Sequence, residues 1–250
     1  VLLGQIDLAK LNMTNNLTNT EYMFNNCRTI TSLAVENLPT ENIVDMRYMF
    51  NGCSGLTSLN VSNFKTENVT NMSYMFSDCS KLGSIDVSKF NTKKVTDMSY
   101  MFNNCSTVTS LSLTNFVTEK VAGFEYMFNN CSKIESLYLG ENFYTTVAST
   151  MNSMFRNLTS ITRLDLGPAF VSLVSAEDIF TGTGTEASII YCGEAIYEDK
   201  KSLRYGRNDG TVVRVNGTVE CKYYITVEKM SSQLSVENKS LTVNYKMKVQ

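Results

Sequence analysis

A tripeptide, Tyr-Met-Phe, returns five times at one fixed interval, and that interval limits what this chain can fold into more than anything else in it. It stands at residues 22–24, 48–50, 74–76, 100–102 and 126–128, each step 26 residues, with a cysteine three residues after every phenylalanine: Cys27, Cys53, Cys79, Cys105 and Cys131. The pattern then decays. Ser153-Met154-Phe155 comes 27 residues later with Leu158 in the cysteine position, and Asp178-Ile179-Phe180 follows after a further 25 with Thr183 there. One residue is inserted near 140–142 and two are lost between Phe170 and Asp178. A unit this short has too few side chains to bury its own apolar face, so it becomes stable only by stacking on its neighbours.

The copy at 56–80, LTSLNVSNFKTENVTNMSYMFSDCS, shows what each unit contains. Its first six residues alternate and favour a short strand, with the inward pair Leu59/Val61 recurring as Leu33/Val35, Ile85/Val87, Leu111/Leu113, Leu137/Leu139, Leu164/Leu166 and Ile189/Tyr191. Phe64 and its equivalents then turn the chain. Met72, Met75 and Phe76 follow at i, i+3 and i+4, the spacing of one buried face on a short helical turn. The expected fold is therefore α/β: a solenoid of about seven coils over residues 1–192, each a short strand plus a short helical turn. Residues 193–250 leave the repeat. Alternating stretches at 211–215, 219–227, 234–236 and 241–249 read as a small antiparallel β segment, either a cap or the start of a stalk domain.

Composition narrows the function classes. Lys and Arg number 22 against 24 Asp and Glu, a net charge of −2 without long runs of one sign, which argues against nucleic acid or an anionic membrane as partner. No stretch approaches the ~20 apolar residues of a membrane span. The N-terminus, VLLGQIDLAKLN, lacks the basic and apolar regions of a signal peptide and reads as a processed or trimmed fragment, with any signal or anchor outside it. Histidine is absent, which removes the commonest general base and metal ligand. Calcium-loop spacing, a glycine-rich phosphate loop and G-x-S-x-G are also missing, so the expectation is no enzyme, cofactor or metal.

The run L-T-S-L-x-V-S-x-F-x-T-x-x-V-T-x-M-S-Y-M-F-x-x-C-S resembles the bacterial surface-protein leucine-rich repeats of the BspA-like type, over about residues 20–192. The resemblance implies a leucine-rich-repeat solenoid on an extracellular bacterial cell surface, engaged in adhesion to host proteins or to other cells. It carries over no catalytic residue. A protein or glycan on host or neighbouring cells is the expected partner, bound by a monomer. The alternative is a structural repeat module of a larger extracellular or phage-like fibre without a discrete ligand.

Three sets of side chains are candidates for more than packing. The tyrosine stripe, Tyr48, Tyr74, Tyr100 and Tyr126 with Tyr22 ahead of them, reads either as an aromatic grip for a glycan or protein or as mutual stacking that seals the coil edges. On the outward strand face, small polar residues give way late to Glu135, Tyr138, Arg163 and Asp165, an irregular patch where specificity could reside. The cysteine ladder lacks zinc spacing and reads as reduced, buried small hydrophobes. Cys192 and Cys221 lie outside it, and a disulfide between them would staple the last coil to the C-terminal segment. The N-x-[ST] matches at Asn16, Asn60, Asn68, Asn71, Asn104 and Asn216 are explained more simply by turn hydrogen bonding than by glycosylation.

Overall fold

A computed structural model describes residues 16–167, 169–170, 176, 178–183 and 188–190, all within one compact unit. The β stretches expected after residue 193 and the Cys192–Cys221 pair lie outside the described residues. Within them, equivalent residues of successive repeats sit one above the next. The phenylalanine column Phe24, Phe50, Phe76, Phe102, Phe128, Phe155 and Phe180 runs through the core with ring centroids 5.5–5.8 Å apart. Met46, Met72 and Met98, then Phe124 and Met151, make a second buried column.

The predicted helical turn is not there: no helix occurs among the described residues, and the Met72/Met75/Phe76 segment is a run of β-turns. Residues 44–53 show why. The N–H groups of Met46, Tyr48, Phe50 and Gly52 donate to the carbonyls of Asn71, Ser73, Met75 and Ser77 in the next coil at 2.8–3.0 Å. The intervening N–H groups of Met49, Asn51 and Cys53 close local turns on the carbonyls three residues back, at 3.1–3.3 Å. Arg47 N–H is taken by the Asp45 carboxylate at 3.0 Å. A helix would tie Phe50 N–H to the Met46 carbonyl; here that donor joins two coils instead. Tyr48, with φ 57°, lies in the left-handed region and cannot continue a right-handed helix. The same left-handed tyrosine recurs at Tyr22, Tyr74, Tyr100 and Tyr126. Apolar spacing of i, i+3, i+4 is satisfied by this alternation as well as by a helix, so periodicity alone could not tell them apart.

Polar side chains complete the ladder. Thr66, buried, accepts a hydrogen bond from Asn91 N–H at 2.7 Å and donates its hydroxyl to the Asn91 carbonyl at 3.1 Å. Thr92 does the same with Val117 one coil on, at 2.8 and 3.0 Å. Each hydroxyl thus satisfies backbone groups that would otherwise be buried unpaired. A second polar column holds left-handed residues: the Asn104, Asn130 and Asn157 amides donate to Asp78, Asn104 and Asn130 at 2.6–2.7 Å. Gly52 interrupts it, with φ 72° and the Asn26 amide folded over the space a β-carbon would fill. Asn tolerates this conformation, and it loses less chain entropy on folding than Gly. Gly52→Asn is therefore expected to restore the column between Asn26 and Asp78 and raise stability by about 0.5–1 kcal/mol, measured by urea unfolding. A loss of stability would show that the Asn26 amide cannot swing aside.

Successive coils are closest on the tyrosine side and splay on the Leu-x-Val side. Tyrosine centroids lie 4.3–4.7 Å apart, whereas Phe64 and Phe90, at the turn after the Leu-x-Val segment, are 6.5 Å apart. Isolated parallel bridges link Asn19, Asp45, Asn71, Asp97, Gly123 and Thr150 along the tight side. On the splayed side, one backbone bond per coil enters the early Leu-x-Val segments: Thr57 N–H to the Thr31 carbonyl at 3.2 Å, then Gly83 N–H to the Thr57 carbonyl and Thr109 N–H to the Gly83 carbonyl, both 3.4 Å. Paired strands form only late: β1 (Ser136–Tyr138), β2 (Arg163–Asp165) and β3 (Ser188–Ile190) make a parallel sheet in that order. Here the inserted residue has a structural counterpart. Gly140 and Gly167, both at positive φ, follow β1 and β2, and a β-carbon on Gly167 would overlap the Gly140 carbonyl oxygen.

Candidate binding face

The tyrosine stripe is one continuous stack. Tyr22, Tyr48, Tyr74, Tyr100 and Tyr126 lie with interplanar angles of 7–16°, so each interior ring turns both faces to its neighbours. Burial raises the phenol pKa of Tyr48, Tyr74 and Tyr100, and for Tyr74 the adjoining phenols add to it. A ligand gripped by aromatic faces needs those faces free. What the interior of this stripe turns outward is ring edges and hydroxyls, the geometry of a seal. Holding five tyrosines in the left-handed region costs of order 1–2 kcal/mol each, so the stacking that retains them must offset that strain.

The cysteines behave as packing. Cys53, Cys79, Cys105 and Cys131 are buried free thiols, each donating Sγ–H to the carbonyl of a phenylalanine one coil back at 3.1–3.2 Å. Burial pushes the Cys53 and Cys131 pKa up to about 12 and raises those of Cys79 and Cys105 as well. A thiol so poor at ionising is a poor nucleophile and a poor metal ligand. Among the described residues no group of three His, Cys, Asp or Glu is placed to hold a metal ion. No helix among them is long and apolar enough to cross a membrane.

The late patch is brought together by β1 and β2. Tyr138 pairs with Asp165 and Ser136 with Arg163 across the parallel register. Arg163 reaches Asp165 at 3.2 Å, and Asp165 also accepts the Gly167 N–H at 3.2 Å, so these opposite charges offset one another. The Glu135 side chain is exposed, while its carbonyl takes the Thr162 N–H and hydroxyl at 2.8 and 2.9 Å. Tyr138 is 37% exposed, with the small residues Ser112 and Ser136 on the same face. Beside it the splayed coils leave a shallow groove of about 470 Å³, lined by Ser84, Ser110, Ser112, Thr114, Ser136 and Tyr138. Ile85 and Leu111 also border it, and Asp86 is its one charged side chain. The tyrosine stripe belongs to the tight side of the coils and this patch to the splayed side, so they are separate candidates.

Two features went unread in the sequence. The buried threonine column had a signal, since Thr40, Thr66, Thr92, Thr118 and Thr145 each stand two residues after the turning Leu or Phe. The groove had none, because it arises from a difference in spacing between the two sides of the coil.

No curated protein and no solved structure matches the chain. A family described as "Mycoplasma protein of unknown function, DUF285" matches residues 18–139 and, overlapping them, 86–183. Those limits enclose the stacked repeats from the first tyrosine coil to the last phenylalanine of the column, about two thirds of the 250 residues, and the chain belongs to the DUF285 family.

Proposed function

We propose that this chain is a non-enzymatic binding module of the BspA-like leucine-rich-repeat type. It is a solenoid displayed on a cell surface, where it adheres to proteins or glycans of a host or a neighbouring cell. The carrying observation is the splayed strand face, where one exposed aromatic, Tyr138, stands beside an open groove of small hydroxyl side chains. Membership of DUF285 and the repeat pattern are consistent with this reading and carry no ligand with them. Large, partly exposed tyrosines surrounded by small polar residues are typical anchors of binding surfaces. The charged pair Arg163–Asp165 would set orientation on the partner more than affinity.

The test is an array of matrix proteins and glycans probed with the full chain. A saturable signal is expected, weakened about tenfold or more by the double variant Tyr138→Ala, Arg163→Ala, on the scale of an aromatic anchor. Tyr74→Phe, which keeps the stripe stacked, should leave it unchanged. A blank array would overturn the reading in favour of a purely structural repeat. Binding that ignores the double variant would remove the strand face from it.

A further inference from the structure

We infer that the tyrosine stack is an oxidative cross-linking site, where one-electron oxidation couples neighbouring rings into dityrosine and staples successive coils. It stands apart from the binding reading above and requires no ligand. Two phenoxyl radicals couple at the carbons beside their hydroxyls. There the unpaired electron occupies lobes above and below the ring plane, so two rings meet productively face to face. Tyr22, Tyr48, Tyr74, Tyr100 and Tyr126 are held that way, with centroids 4.3–4.7 Å apart and planes 7–16° from parallel. The left-handed backbone at each, φ 54–60°, sends every ring off its coil in the same direction.

Access and competition point the same way. Tyr48, Tyr74, Tyr100 and Tyr126 are only partly buried, and the stack turns its hydroxyl-bearing edges outward. Other oxidisable side chains are withheld. The chain has no tryptophan and no histidine. Every methionine and cysteine from Met46 to Cys131 is buried. The thiols of Cys53, Cys79, Cys105 and Cys131 are hydrogen-bonded to carbonyls, and a buried, protonated thiol is a slow target for oxidants.

The reaction balances with a peroxide as oxidant, used through a peroxidase. Each of two phenols gives up one electron and its O–H proton, and the peroxide leaves as two waters. One C–C bond forms between the rings. Each joined carbon then passes its hydrogen to its own phenoxyl oxygen through water, which restores both aromatic rings. The link ties residues 26 apart across a coil interface. Like any cross-link, it narrows the unfolded ensemble, so the oxidised array should melt at a higher temperature.

Treating the full chain with hydrogen peroxide and a peroxidase tests this, with the products read as tryptic peptides. Arg47, Lys65, Lys94 and Lys120 separate the five tyrosines, so a link appears as two joined peptides, two hydrogens lighter than their sum. Within the stack, links are expected only between tyrosines of adjacent coils, at a yield independent of protein concentration. Tyr74→Phe keeps the stacked ring but forms no phenoxyl radical. It should lose both links through position 74 and retain Tyr22–Tyr48 and Tyr100–Tyr126. A thermal melt matching the parent shows that this variant folds. Oxidation in urea, where the stack is gone, should abolish the preference for adjacent coils. The site is overturned if links between adjacent coils are missing, if links skip a coil, or if their yield rises with protein concentration. Persistence of the pattern in urea would also overturn it, because sequence spacing rather than stacking would then choose the partners.

Discussion

Raising the pH from 8 to 10 is expected to strip about 5 kcal/mol from the stability of the folded array, and to do so through its cysteines. In the unfolded chain a thiol ionises near pH 9; in the folded chain burial raises Cys53 and Cys131 to about 12 and Cys79 and Cys105 in the same direction. The folded pKa lies above the unfolded one, so this stabilisation is whole below pH 9 and is lost as the pH rises toward 12. At pH 10 each unfolded thiolate favours unfolding by a little over about 1 kcal/mol, and four buried thiols act together. Domains of this kind are typically stable by about 5–15 kcal/mol, so unfolding should set in near pH 10. The raised phenols of Tyr48, Tyr74 and Tyr100 steepen it further above their unfolded value of 10. The check is urea unfolding in a reducing buffer at successive pH values, on the parent and on Cys105→Ala. The variant should be weaker at pH 7 but should lose stability more gently above pH 9, by one ionisable group. Parallel pH profiles would sink the assignment.

Phe76→Ala is expected to cost about 3–5 kcal/mol, the range for deleting a buried aromatic. Phe76 is fully buried and stacks on Phe50 and Phe102 at 5.7 Å on either side. Because each coil is stabilised mainly by its two neighbours, removing a central rung weakens two interfaces at once. Unfolding should then divide into two steps as the flanking blocks uncouple. Phe24→Ala, at a position whose ring contact among the described residues is with Phe50 alone, should cost roughly half as much and leave a single transition. Calorimetry on the three proteins distinguishes these outcomes. One sharp transition in Phe76→Ala would mean that cooperativity does not pass through the phenylalanine column.

What could be read without coordinates was the repeat and its inward-facing positions. Leu59, Val61, Phe64, Val69, Met72, Met75, Phe76 and Cys79 are all buried in the places their spacing predicted. Secondary structure was harder, for an identifiable reason. Met72, Met75 and Phe76 face inward in either conformation, and only the destination of the N–H groups separates a helical turn from turns bonded to the next coil. Tyr74 held the clue, yet a bulky residue at φ 57° is rare enough that no propensity favours it. The site divides in the same way. The irregular residues Tyr138, Arg163 and Asp165 stood out because they break a pattern, and β1 and β2 do bring them together. The groove beside them depends on how far apart two coils stand, a property of the whole cross-section and of no single residue.

Through the five Tyr-Met-Phe coils the inter-coil ladder joins backbone groups at the same repeat positions, so the upper edge of one such coil closely resembles the upper edge of the next. Length can therefore change in whole multiples of the unit, by duplication or loss of a stretch of gene, without redesign of the core. A repeat protein built this way can alter its length, and the number of rungs it presents, in steps of one repeat.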